Sequence, residues 1–114
     1  MPTRLAVTVS QEAADTVVTL AGELDIISAD RLREALSEEM EAGHARLIVE
    51  VEGLTFCDSM GVRLLVEFLR LTAEAGGYLK LAGVRGPLRR LLEVLGLDDV
   101  FPMYESVADA RRQP

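Results

Sequence analysis

Asp58 and Ser59, inside "LTFCDSMGVRLL" (54–65), are the pair of side chains whose types and spacing could do chemistry. An apolar run stops at Asp58, a hydroxyl follows at Ser59, and a helical pattern begins. An Asp or Ser at that position can serve as an N-cap, accepting from the free amides of the first turn. The same hydroxyl could instead take a phosphate, because first-turn amides and the helix dipole favour an anion. Phosphorylation would add about two negative charges and three acceptor oxygens. Next to the Asp58 carboxylate, that charge would repel a partner docked closely over the loop. Gly61, just beyond, permits close packing.

Other chemistries are poorly supplied. A nucleophilic serine needs a base within hydrogen-bond reach. The single histidine, His44, lies in a Gly43-His44 turn ahead of a strand, at the opposite end of that strand from Ser59. A strand of about six residues would separate the two by roughly 20 Å. Cys57 has no companions at metal-ligand spacing and, beside Phe56, reads as a small buried apolar residue. No G-x-x-x-x-G-K-[ST] phosphate loop is present. Neither a catalytic group, a metal nor a cofactor is expected.

Composition narrows the partners. With 12 Lys and Arg against 19 Asp and Glu, the formal charge is −7. That disfavours nucleic acid, which needs a basic footprint, and charge-driven docking on an anionic membrane. One cysteine allows no internal disulfide and suits a reducing compartment. "MPTRLAVTVS" lacks the apolar core of a signal peptide, and no run is long enough to span a membrane, so a cytoplasmic location is expected. The length of 114 residues fits one domain over 1–114, with a core at about 4–110. Hydrophobic residues make up 49% and aromatics 4%, with no Trp, so that core must be aliphatic.

The elements that would position the pair follow from periodicity and punctuation. "RLAVTV" (4–9) and "TVVTLAG" (16–22) read as strands joined by a turn at 10–15. Residues 28–43 read as a helix with Ser28 as N-cap, Asp30 in the first turn and Gly43 as terminator. Ala29, Leu32, Leu36 and Met40 would form its apolar stripe. "RLIVEV" (46–51) reads as a strand covered on both faces. A helix should run from Ser59 to Ala75, ended by Gly76-Gly77. A strand is expected at 78–84 and a helix from Gly86-Pro87 to Gly96. "VFPMY" (100–104) reads as a short edge strand because of Pro102. A last short helix should be capped by Ser106, with Asp109 at the capping-box position, and "RRQP" should fray. The order ββαβαβα(β)α implies an α/β fold: a mostly parallel or mixed sheet of four to five strands with about four helices and right-handed crossovers.

On the helix after Ser59, residues Arg63, Glu67, Arg70 and Glu74 share a narrow polar stripe, and nearly all else is apolar. Val62, Leu65, Val66 and Leu69 would face the core. Met60 and Leu64 would then either be buried on a second side or border a partner surface beside Ser59.

The runs "LAGELDIISADRLREAL", "LIVEVEGLTFCDSMGVRLL" and "LKLAGVRGPLRRLLEVLGLDDVFPMYESVADA" together resemble a STAS domain, and more narrowly a bacterial anti-sigma factor antagonist. The resemblance covers about residues 4–110 and is most specific in G-E-L-D (22–25) combined with D-S-x-G (58–61). It implies that Ser59 is phosphorylated by a cognate anti-sigma factor, a serine kinase of the histidine-kinase-like ATPase fold. The unphosphorylated form would bind that kinase and free a sigma factor, and the phosphorylated form would not bind. A PP2C-type phosphatase would reset the switch. It further implies that Asp25 lies at the partner surface and that Asp58, Ser59, Met60 and Gly61 form the loop, with Leu64 alongside. Many relatives carry Ser or Thr where Met60 stands, so a second phosphorylation there is excluded. The same resemblance allows another role, a non-phosphorylated scaffold or accessory subunit of a transport or signalling complex, in which Ser59 is only a cap.

Overall fold

The structure, a computed structural model, describes residues 4–113. β1 (Leu5–Glu12) and β2 (Asp15–Leu24) form an antiparallel hairpin in which Glu12 pairs with Asp15 across Ala13-Ala14. Both strands are longer than their apolar runs, and the expected six-residue turn shrinks accordingly. Ser10, Gln11 and Glu12 continue β1 because ladder hydrogen bonds use the backbone, and a polar side chain on an edge strand stays in water.

From β2 the chain proceeds through α1 (Ala29–Glu41), β3 (Arg46–Cys57), α2 (Ser59–Glu74), β4 (Tyr78–Ala82), α3 (Gly86–Leu95), β5 (Met103–Tyr104) and α4 (Val107–Arg112). The sheet order is β1-β2-β3-β4-β5, with β2 to β5 parallel. This is the α/β class expected, with five strands and four helices. Because the order never reverses, right-handed crossovers put consecutive helices on one face. Leu32 and Leu36 of α1, Leu65 and Phe68 of α2, and Leu88 and Leu92 of α3 accordingly share one core with Val18, Leu20, Leu47, Val49, Leu79 and Leu81. Each such buried aliphatic side chain contributes roughly 1.5–3 kcal/mol over an exposed one. Val17, Ile48 and Ala82 point to the other face, where Ala110 of α4 covers them.

Several boundaries differ from the sequence expectation. β3 has 12 residues, running through Glu52 and Gly53 to Cys57, so 52–57 are strand rather than loop. Register shifts against β2 at Thr19/Ala21 and Gly22/Glu23 absorb the extra length. Met103 and Tyr104 alone form β5, and the Pro102 carbonyl accepts from the Leu81 amide at 2.9 Å. β4 stops at Ala82, two residues short of 84. Glycines in left-handed geometry end three of the helices, Gly43 at φ 86°, Gly76 at φ 83° and Gly96 at φ 72°.

Residues 111–113 are held in place, against the expected fraying. Ser106 caps α4 by accepting from the Asp109 amide at 3.1 Å, while the Asp109 carboxylate turns to Arg112 rather than back to the cap. Arg111 and Arg112 belong to α4, and the carbonyls of Ala110 and Gln113 accept from Lys80 Nζ at 2.8 and 2.5 Å. Pro114 lies outside the described residues.

Candidate functional site

Ser59 is the first residue of α2, and Asp58 is its N-cap. Oδ1 of Asp58 accepts from the amides of Met60 at 3.0 Å and Gly61 at 3.1 Å. The cap is therefore the aspartate, which leaves the serine hydroxyl free of that task. Among the described residues, Ser59 Oγ makes no hydrogen bond, and the residue is exposed. Oδ2 of Asp58 accepts from the Ile26 amide at 3.1 Å, which ties the β2–α1 loop to the start of α2. The Asp58 amide in turn donates to the Leu24 carbonyl at 3.1 Å.

The neighbouring loop is shaped by Asp25. Its Oδ1 accepts from the amides of Ile27 at 3.0 Å and Ser28 at 2.9 Å, and from the Ser28 hydroxyl at 3.1 Å. Its Oδ2 accepts from Arg4 at 3.1 Å. These donors, the Ser28 amide foremost, hold the carboxyl below its ordinary value against the opposing effect of burial. Asp25 thus lies next to the Ser59 loop, but its side chain is turned inward, with the residue only 8% exposed. Ser28 sits at the N-cap position of α1 without capping it: its hydroxyl donates to the Glu23 carbonyl at 2.7 Å instead.

What this inward network presents outward is Ile26 and Ile27, 66% and 71% exposed. The sequence reading did not single them out. Two consecutive isoleucines between a strand end and a helix cap, with no partner element to bury them, were the available signal.

On α2 the buried residues are Gly61, Val62, Leu64, Leu65, Phe68 and Thr72, while Val66 and Leu69 are only half-buried. The core stripe is therefore rotated from the expected Val62, Leu65, Val66 and Leu69. Gly61 explains the rotation: a Cβ there would lie 2.7 Å from Leu24 Cγ and 3.0 Å from Cys57 Sγ, so this edge of the helix is pressed against β2 and β3. Leu64 follows it inward and, at 2% exposed, offers a partner almost no surface. Met60 remains at the surface, 38% exposed.

Beside Ser59, a depression of about 680 Å³ is lined by Met60, Arg63 and Leu64 of α2 and by Leu95 and Leu97 at the end of α3. Arg33 of α1 and Glu67 pair across it at 2.6 Å. The contact raises the pKa of Arg33 and lowers that of Glu67, so both stay charged. Arg70 pairs with Glu74 at 2.8 Å. Among the described residues Arg63 has no ion-pair partner.

Other sequence candidates fall elsewhere. His44 contacts Glu39 at 2.8 Å and Gln11 at 3.2 Å and lies before β3, whereas Ser59 lies after it. Cys57 is buried, and burial together with the Asp58 charge pushes its thiol up to about 12. Among the described residues no group of His, Cys, Asp and Glu is arranged to hold a metal ion, and no helix is long and apolar enough to cross a membrane. A second depression, of about 530 Å³, opens beside Arg85, Arg89 and Tyr104. There Arg85 is already matched by Glu52 at 3.4 Å and Glu105 at 4.0 Å.

A five-stranded sheet with α1, α2 and α3 on one face and α4 on the other, and an aspartate-capped serine at the mouth of α2, define the class. The STAS domain family profile matches residues 5–110, and the chain belongs to that family. It is similar to the anti-sigma-B factor antagonist of Bacillus subtilis, 36% identical over 95 residues, which are 83% of this chain and 86% of that protein. In structure it resembles an anti-sigma factor antagonist from Mycobacterium paratuberculosis, with TM-score 0.84, 26% identity, and coverage of 95% of this chain and 92% of that one. It also resembles the Bacillus cell fate determinant SpoIIAA in its phosphorylated form, with TM-score 0.74, 25% identity, and coverage of 94% and 97%.

Proposed function

We propose that this chain is an anti-sigma factor antagonist whose binding is switched at Ser59. Unmodified, it binds a cognate anti-sigma factor, a serine kinase of the histidine-kinase-like ATPase fold, in the cytoplasm and so frees a sigma factor for transcription. The kinase transfers a phosphoryl group from ATP to Ser59 Oγ, and the modified chain lets go. A PP2C-type phosphatase hydrolyses the ester and restores binding. The chain itself acts by binding rather than by turnover.

The observation that carries this reading is the exposed, unbonded Ser59 hydroxyl on the rim of an apolar depression. A kinase can reach it without unfolding anything, since Asp58 holds the helix start. Met60 with the exposed Ile26 and Ile27 supplies apolar contact area around it. A dianion placed there must be desolvated, or repelled by Asp58, whenever a partner closes over the rim. The similar Bacillus subtilis protein is named for antagonism of an anti-sigma factor, and the structurally similar SpoIIAA has a phosphorylated form.

The test is to incubate the chain with anti-sigma factor kinases encoded in the same genome, with and without ATP. Mass spectrometry should find one phosphate, on Ser59, and loss of the complex should accompany it. Ser59→Ala should stay bound in ATP, and Ser59→Asp should bind about tenfold more weakly or worse. Equal affinity of the two variants would overturn the switch. Stable binding with no phosphate on Ser59 would assign the chain to the scaffold role.

A further inference from the structure

We infer that Arg63 is the internal counter-ion of phosphorylated Ser59. The inference rests on Ser59 being the modified residue and adds what receives its charge. Arg63 lies four positions after Ser59 on α2, and side chains so spaced are neighbours on a helix, with Cβ atoms about 5–6 Å apart. Both line the same depression, so both point to the same side of the helix. The other cations along that groove are already matched, Arg33 by Glu67 at 2.6 Å and Arg70 by Glu74 at 2.8 Å. Among the described residues Arg63 alone of these arginines has no carboxylate.

The remaining groups facing Ser59 do not compete for a phosphate. Asp58 repels it, and its oxygens are occupied by the amides of Met60, Gly61 and Ile26. From the end of α3 and the turn after it, the depression is lined by the uncharged Leu95 and Leu97. A phosphoryl group on Ser59 Oγ gains length and three acceptor oxygens, enough to receive the guanidinium fork. The acidic end of the pair is N-terminal to the basic end, the favourable orientation on a helix. The modified state then has a second consequence besides repulsion. The phosphate and Arg63 close on each other over the rim, and the Arg63 charge is no longer offered to a partner.

The full chain with phosphoserine installed at position 59 during synthesis tests this without any kinase, so its result is independent of whether the proposed switch operates. The second ionisation of the phosphate is followed by phosphorus NMR. With Arg63 present its midpoint should lie lower than in Arg63→Gln by about half a pH unit. Arg63→Lys should stay close to the parent, and Arg70→Gln, further along the helix, should leave the midpoint unmoved. Parent and Arg63→Gln titrating together would overturn the inference. So would Arg63→Lys behaving as Arg63→Gln, or Arg70→Gln shifting the midpoint as much.

Discussion

Asp58 and Ile26, 32 residues apart in sequence, are joined by a hydrogen bond of 3.1 Å from the Ile26 amide to the Asp58 carboxylate. The same carboxylate caps α2, so one side chain sets both the start of the helix and the position of the exposed Ile26-Ile27 loop. The two roles use different oxygens, and substitutions separate them. Asp58→Asn keeps an oxygen for the cap but presents an amide nitrogen where Ile26 needs an acceptor. Its unfolding free energy should stay near that of the parent, while hydrogen exchange at the Ile26 amide speeds up. Asp58→Ala should lose both, at a cost of about 0.5–2 kcal/mol in urea unfolding.

Gly61 is defined by space rather than by conformational freedom. A methyl group there meets Leu24 Cγ at 2.7 Å and Cys57 Sγ at 3.0 Å, both buried. Gly61→Ala improves helix propensity by about 1 kcal/mol, yet overpacking of this kind costs typically 1–3 kcal/mol. The net effect on denaturant unfolding should be destabilising. Shortening the obstacle in a Leu24→Ala, Gly61→Ala double variant should show coupling, with the second substitution costing less than it does alone.

The Asp25 carboxyl has a depressed pKa in the folded chain, through the Ser28 amide first and also the Ser28 hydroxyl, Arg4 and the Ile27 amide. A depressed carboxyl pKa stabilises the fold above its unfolded-state value, near pH 4, and that stability is lost as pH falls through the folded value. Asp25→Asn should therefore be less stable than the parent at pH 7. The difference should narrow steadily as the pH is taken below about 4, measured by urea unfolding at a series of pH values.

Lys80 is buried between the sheet and α4, with Nζ 4.3 Å from the Tyr78 ring centre and 5.4 Å from that of Tyr104. Burial lowers its pKa, Asp15 opposes the shift, and Arg46 adds to it. Its hydrogen bonds to the Ala110 and Gln113 carbonyls close the C-terminal end of α4. Lys80→Met fills similar space without donors, leaving those carbonyls to seek water, at about 1–3 kcal/mol for an unmet buried group. Hydrogen exchange in α4 should accelerate, while the amides of α2 should exchange as in the parent.

The architecture was legible because each helix carries an apolar stripe and a stop signal, and each parallel strand is bounded by glycine or polar residues. The limits of β1 and β3 were not, since Ser10 to Glu12 and Glu52 to Gly53 look like turn residues until a neighbouring strand is present to pair with them. The position of Ser59 was readable from its own segment. The inward turn of Asp25 was not, because it depends on Arg4, 21 residues earlier, and on Ser28. The burial of Leu64 was left open for a similar reason. A glycine contributes nothing to a hydrophobic pattern, yet Gly61 decides how the helix is rolled against Leu24 and Cys57.

The unbroken sheet order has a consequence for synthesis on the ribosome. Each new strand from β2 to β5 is laid against the edge left by the one before it, so no strand must be held open for a later segment to slot between its neighbours. A nascent chain can lengthen its sheet in the direction it is translated. The last short helix, arriving with Lys80 already in place to receive it, closes the remaining apolar strip on the opposite side.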